Sequence, residues 1–197
     1  MISINPKELK GNWFEGFALD FHTLSSEYIG DDEYGQPQFQ TERSEVGELI
    51  FRLKYRSDRT VVKTLSLLAV DFLKSRQWPI EVIVPIPPSR SDRVFQPVHL
   101  LSEHIAKSLD LPIYKDCLIK TKNNPELKSV YDYDERIKIL QGAYSVIPDD
   151  ISGKALLLVD DLYRSGATLR VVTEALKNEG RAGSIYVMVF TKTRKIK

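Results

Sequence analysis

The stretch Ala155 to Leu169 reads ALLLVDDLYRSGATL: an apolar run, two adjacent aspartates, then a small-residue turn carrying an arginine, a serine and a threonine. The run Ala155 to Val159 predicts a buried strand, and a helix from about Thr168 to Glu179, stopped by Gly180, follows the turn. In open parallel α/β sheets, ligands bind beyond the carboxyl ends of the strands, where loops lead into helices. Asp160 and Asp161 fall at such an end. Backbone N–H groups from Ser165 to Thr168 can converge on an anion there, helped by the positive end of the helix dipole. Gly166 allows close approach, and Ser165 and Thr168 add hydroxyl donors. Carboxylates cannot hold a phosphate, but they accept hydrogen bonds from vicinal hydroxyls. Strand, acid pair and anion loop together describe a site for a ribose carrying a 5′-phosphate.

Two plainer readings compete. LLLVDD also looks like the acidic pocket of a bacterial receiver domain, but such a domain carries its acids near its start and needs about 100 residues. Only a helix and a strand remain after Asp161. A cap-and-turn role would explain one aspartate and not the whole string.

The elements that must position these groups are legible around them. EVIVPIPPS, Glu81 to Ser89, is a short apolar run closed by prolines, which suits a central strand buried on both faces. EVGELIFRLKY and TVVKTLSLLAVDFLKSR carry apolar residues at helical spacing, with Ser57-Asp58 as a cap between them. A further helix is expected at Val98 to Leu109, a strand at Cys117 to Thr121, a short helix in DYDERIKILQG ending at Gly142, and a last strand at Ser184 to Thr191. Strands alternating with helices predict an α/β fold, a mostly parallel sheet flanked by helices. Upstream, FEGFALDFH reads as a strand and YIGDDEYGQPQF as a long loop. His22 lies beside apolar neighbours and is read as a hydrogen-bonded structural residue.

Composition narrows the function. The 197 residues, 42% hydrophobic, suit one domain with a small addition. Against 27 acidic residues stand 28 basic ones, so the net charge of +1 gives no support to a nucleic-acid partner, though it leaves room for a local patch. The basic tail KTRKIK, Lys192 to Lys197, is read as solvated. A single cysteine, Cys117, removes a disulfide framework and a thiolate zinc site. No apolar run reaches membrane-spanning length, and the cytoplasm is the expected compartment.

LLLVDDLYRSGAT resembles the phosphoribosyl pyrophosphate (PRPP) motif of type I phosphoribosyltransferases. ELIFRLKYRSD, VIVPIP, RVFQP and DERIKILQGAY look like landmarks of the ComF branch, in the right order, so the resemblance covers about residues 45 to 194. It implies residues 45–197 as the core and residues 1–44 as a small N-terminal hood. Carried over, Asp160 and Asp161 bind the ribose hydroxyls and stabilise positive charge in the transfer. Arg164, Ser165, Gly166, Ala167 and Thr168 bind the 5′-phosphate, and Pro87, Pro88, Ser89 and Arg90 take the magnesium-bound pyrophosphate. The family also has a mobile loop over its site, here placed at Lys120 to Glu135, with Lys120, Lys122 and Lys128 to neutralise pyrophosphate.

The implied activity is displacement of magnesium pyrophosphate from PRPP by a nitrogen nucleophile of unidentified structure. Mg2+ arrives on the pyrophosphate, with no direct protein ligand. The alternative is a non-catalytic PRPP- or nucleotide-binding regulator, or a DNA-uptake factor like some ComF relatives. A homodimer is compatible with either. Two departures stand out: the N-terminal stretch lacks the cysteines of the zinc module that many ComF proteins carry, and the segment between VPIP and RVF is shorter than usual. Arg164 stands where the phosphate loop often has threonine.

Overall fold

The computed structural model describes residues 2–88, 95–122, 130, 132–147 and 151–194. Four strands run parallel through its centre: β2 (Glu15–Phe21), β5 (Val82–Pro85), β8 (Leu156–Tyr163) and β9 (Ile185–Lys192). With the short antiparallel β1 (Lys7–Glu8) they form a sheet in the order β1-β2-β9-β8-β5. The expected mostly parallel sheet is therefore present, and FEGFALDFH is one of its strands, paired in register with the last strand of the chain.

Side chains alternate across this sheet and found two cores. Leu156, Leu158, Ile185 and Val187 face one side, where they meet α4 (Tyr133–Leu140) and α5 (Ala167–Asn178). Leu157, Val159, Tyr186 and Met188 face the other, against α1 (Glu45–Tyr55), α2 (Val62–Arg76) and α3 (Pro97–Leu109). Burial on both faces is why β5 and β8 read as continuous apolar runs. Each helix presents a stripe at helical spacing: Val46, Ile50 and Leu53 on α1, and Leu169, Val172 and Leu176 on α5 are all buried. Asp58 caps the 3₁₀ turn Arg59–Val61 that leads into α2, accepting from the Thr60 N–H at 3.0 Å.

Two local expectations are corrected, and one expected strand is present but outside the parallel sheet. YIGDDEYGQPQF is no loop but most of a hairpin, β3 (Thr23–Asp31) and β4 (Pro37–Arg43), turned by Asp32, whose carboxylate accepts from the N–H groups of Tyr34 and Gln36 at 2.9 and 2.8 Å. The hairpin stands clear of the sheet with Tyr28 and Phe39 packed edge-on across its strands at 5.8 Å. The strand at Leu118 to Lys120 (β6) pairs antiparallel with β7 (Tyr144–Val146), forming a separate two-stranded ribbon. Finally, β8 continues past Val159 to Tyr163 because β9 stays alongside it to Lys192, so both aspartates lie inside the strand. Among the described residues, no helix is long and apolar enough to cross a membrane.

Candidate active site at the carboxyl end of β8

Strand pleating sends the two aspartates to opposite faces of the sheet. Asp160 follows Leu156 and Leu158 toward the side of α4 and α5, whereas Asp161 follows Leu157 and Val159 toward the side of α1. Both still border one cleft of about 170 Å³, near the carboxyl end of β8. Its walls include Lys54, Pro87, Pro88, Lys120, Tyr144 and Thr168. One wall is set by register: Val159 pairs with Pro85 and its carbonyl accepts from the Ile86 N–H at 2.9 Å, so Pro87 and Pro88 leave the sheet level with Asp160.

Asp161 is held on its own side. Its Oδ2 lies 2.6 Å from Lys54 Nζ, with side-chain exposures of 11% and 20%, so the pair is largely withdrawn from water. Its carbonyl accepts from Thr191 Oγ1 at 3.1 Å, and Thr191 Oγ1 is 3.1 Å from His22 Nδ1. Burial, with the nearby charges of Arg43 and Lys54, holds His22 below the usual imidazole range, which keeps the structural role expected of it.

Lys54 reaches Asp161 because of how α1 is seated. Ser44 caps the helix, accepting from the Gly47 N–H at 2.9 Å, and donates to the Phe21 carbonyl. At Gly47 a Cβ would overlap the His22 carbonyl oxygen, so only glycine lets the helix start lie against β2. Glu45 and Glu48 in the first turn, and Arg52 and Lys54 in the last, complement the helix dipole. Burial disfavours the charge on Lys54, but the attraction of Asp161, with smaller help from Tyr55 and Asp160, outweighs it and holds the lysine above its ordinary value.

Asp160 has a different environment. One carboxylate oxygen accepts from the Asp161 N–H at 2.8 Å. Burial and then the negative charge of Asp161 push its pKa up to about 7, only partly opposed by that hydrogen bond and by Lys54. On the same wall, burial and Asp160 raise the Tyr144 phenol to about 12, and burial lowers Lys120.

The anion loop follows. Gly166 caps α5 with φ +83°, and a Cβ there would meet Tyr163 Oη at 2.5 Å. Ser165 Oγ accepts from the Ala167 N–H at 3.4 Å, Arg164 is exposed, and Thr168 borders the cleft. Arg136 on α4 stands near this loop: burial, then the like charge of Arg164, keep it below the usual arginine range. Its Nη1 donates to the Val130 carbonyl at 3.2 Å, while its Nε is buried without a partner among the described residues.

Of the residues singled out from the sequence, Pro87, Pro88, Lys120, Asp160, Asp161 and Thr168 thus share one cleft. Lys122 instead donates to the Gln141 carbonyl at 3.4 Å, and Ser89, Arg90 and Lys128 lie outside the described residues. Lys54, Tyr144 and Arg136 were missed as site residues. Each stands inside a segment recognised for its pattern, ELIFRLKYRSD or DERIKILQGAY, but only tertiary packing shows which side chain turns inward.

This topology, with an acid pair at the end of a central strand followed by an anion loop, is that of a type I phosphoribosyltransferase. The chain superposes on the adenine phosphoribosyl transferase of Trypanosoma brucei, solved in complex with AMP, pyrophosphate and ribose-5-phosphate, over 94% of its own length and 73% of that chain, with a TM-score of 0.50 and 16% identity. It is 30% identical over 145 residues to the competence protein ComFC of Bacillus subtilis (strain 168), a match taking in 70% of this chain and 56% of that protein. It is 34% identical over 85 residues to the bifunctional protein PyrR of Bacillus pumilus, covering 43% of this chain and 40% of PyrR. The chain therefore spans little more than half of the first relative and less than half of the second. No family model matches it. The fold is that of the type I phosphoribosyltransferases, and in sequence the chain is similar to ComFC.

Proposed function

We propose that this protein binds PRPP and transfers its phosphoribosyl group to a nitrogen nucleophile. The observation that carries the reading is the shared cleft: Asp160 and Asp161 border the same space as Pro87, Pro88 and Thr168 at the start of α5. The acids take the ribose hydroxyls, the loop Arg164 to Thr168 takes the 5′-phosphate, and the segment after β5 takes pyrophosphate. In the reaction the nitrogen lone pair forms the new bond to the anomeric carbon. The carbon–oxygen bond to pyrophosphate breaks, its electron pair leaves on that oxygen, and the proton shed by the nitrogen passes to solvent. Positive charge that develops on the sugar is stabilised by the carboxylates, and positioning supplies most of the remaining acceleration.

Among the described residues no group of three His, Cys, Asp or Glu side chains gathers to hold a metal by itself. The oxygen donors at the cleft mouth suit magnesium that arrives with the pyrophosphate as part of the substrate and neutralises its charge. Residues 1–44 act as the hood on the acceptor side over a core of residues 45–197, with β2 as its root in the sheet and the β3–β4 hairpin as its projecting part. The setting is the cytoplasm.

The similarity to a protein named for competence favours one second reading: a PRPP- or nucleotide-binding factor without turnover, serving regulation or DNA uptake. Both readings keep the site. A screen of nucleobases and amines with PRPP and magnesium, read as pyrophosphate release, separates them: release with one acceptor class supports transfer, and saturable PRPP binding without release supports the binder.

A further inference from the structure

The ion pair of Lys54 and Asp161 carries more than a structural reading. Removing two charges from water costs several kcal/mol, and apolar residues in their place are often no less stable, so a buried pair is a poor device for stability alone. This one sits at the wall of the cleft, not in the packed interior. Lys54 spends one donor on Asp161 at 2.6 Å, and among the described residues Asp161 is its only hydrogen-bond acceptor. An ammonium has three donors, and a carboxylate two oxygens. Among the described residues, two N–H groups of Lys54 and the Oδ1 of Asp161 therefore remain for a ligand.

The chemistry of the substrate matches that pattern. In PRPP the 2-hydroxyl is on the carbon next to the anomeric carbon, which carries the pyrophosphate. A carboxylate that holds this hydroxyl, and an ammonium that holds the carboxylate, stand side by side with the hydroxyl and the leaving oxygen. Pro87 and Pro88 are on the same cleft.

Resting on the PRPP reading above, we propose that Lys54 is a direct ligand of the pyrophosphate, keeping one N–H on Asp161 and giving the others to the phosphate oxygens. Asp161 then works as a shared hinge point between sugar and leaving group, and Lys54 receives the negative charge that builds on the departing oxygen. The role falls to a helix of the opposite core from Lys120, so the pyrophosphate lies between cations from both faces of the sheet.

Calorimetric titration of the full chain with magnesium and each of PRPP, pyrophosphate and ribose 5-phosphate tests this. Lys54→Gln should weaken PRPP and pyrophosphate by about tenfold to a hundredfold, the worth of a charged hydrogen bond. Ribose 5-phosphate should change by less than about threefold, and Lys54→Arg should recover most of the pyrophosphate affinity. Because Lys54→Gln strands a buried carboxylate, the titrations are repeated with Asp161→Asn alone and with both substitutions. Weaker pyrophosphate binding in the double variant than in Asp161→Asn supports the proposal; equal binding overturns it. It is also overturned if ribose 5-phosphate is lost in step with pyrophosphate, since Lys54 would then act only through Asp161. Should the unaltered chain bind none of the three, the PRPP reading falls and this inference with it; binding that ignores Lys54 removes this inference alone.

Discussion

Asp160 and Asp161 are neighbours on one strand yet have different partners: the Asp161 carboxylate pairs with Lys54 at 2.6 Å, whereas Asp160 faces the other side of the sheet and, among the described residues, accepts only from a backbone N–H at 2.8 Å. An acid pair in the sequence thus becomes one ion-paired carboxylate and one whose protonated form burial and its neighbour's charge favour.

A pH dependence follows for Asp160. Its folded pKa of about 7 stands above the roughly 3.9 of a free aspartate, so between these values the folded state binds more protons than the unfolded one and stability falls as pH rises. Asp160→Asn fixes the neutral form. Its melting temperature should match the unaltered chain below about pH 4 and exceed it by a margin that grows to about pH 7 and then levels off. Parallel melting curves across this range would show that another group titrates.

Ligand binding should appear in the same measurement. PRPP with magnesium at a hundredfold excess over its dissociation constant should stabilise by about 2.7 kcal/mol, with a smaller gain from ribose 5-phosphate. Asp160→Asn and Asp161→Asn should each lose roughly 1.5 to 3 kcal/mol of PRPP binding while remaining folded. A melting temperature indifferent to millimolar PRPP would remove the site assignment.

Gly47→Ala places a methyl group against the His22 backbone carbonyl, which cannot rotate away. Overpacking of this kind costs about 1 to 3 kcal/mol. The expected relief is a shift of α1 away from β2, which also draws Lys54 off Asp161. Urea unfolding should show the lost stability, and ligand titration a matching loss of PRPP affinity. Unchanged stability would mean that α1 is not seated by this contact.

Gly166→Ala meets two obstacles, the positive φ of +83° and the Tyr163 side chain, whose Oη, Cζ and Cε2 would lie 2.5, 2.8 and 2.9 Å from the new Cβ. The backbone term alone costs roughly 1 to 2 kcal/mol. In a Tyr163→Ala background, which removes the ring but not the φ penalty, the cost of Gly166→Ala should fall only in part. Complete loss of that cost in this background would place it all in the side-chain clash.

How much of this could be read from the sequence depended on burial. LLLV at Leu156 to Val159 and VIVP at Val82 to Pro85 were legible because both faces of these strands are covered, leaving an unbroken apolar signature. The β3–β4 hairpin was not, since strand alternation arises from one buried face, and here Tyr28, Ile29 and Phe39 are all more than half exposed. The acid pair and the anion loop are contiguous in the chain and so came into view together. Lys54 did not: helix periodicity announced Val46, Ile50 and Leu53 as core, but nothing local says that the next residue ends beside a strand contributed by residues 156–163.

The parallel pairing of β2 with β9 sets an order of events in folding. Glu15 finds its partner in Tyr186 and Phe21 in Lys192, among the most widely separated contacts in the molecule. During synthesis, FALDF must wait, with its partner strand not yet made, until residues 185–192 have emerged. Such distant closure is slow because the loop entropy is lost before the contact forms. An unpaired apolar strand is exposed to misassociation meanwhile. The same pairing brings His22 to Thr191 and Thr191 to the Asp161 carbonyl. The acid strand therefore gains this support only once β2 and β9 have paired.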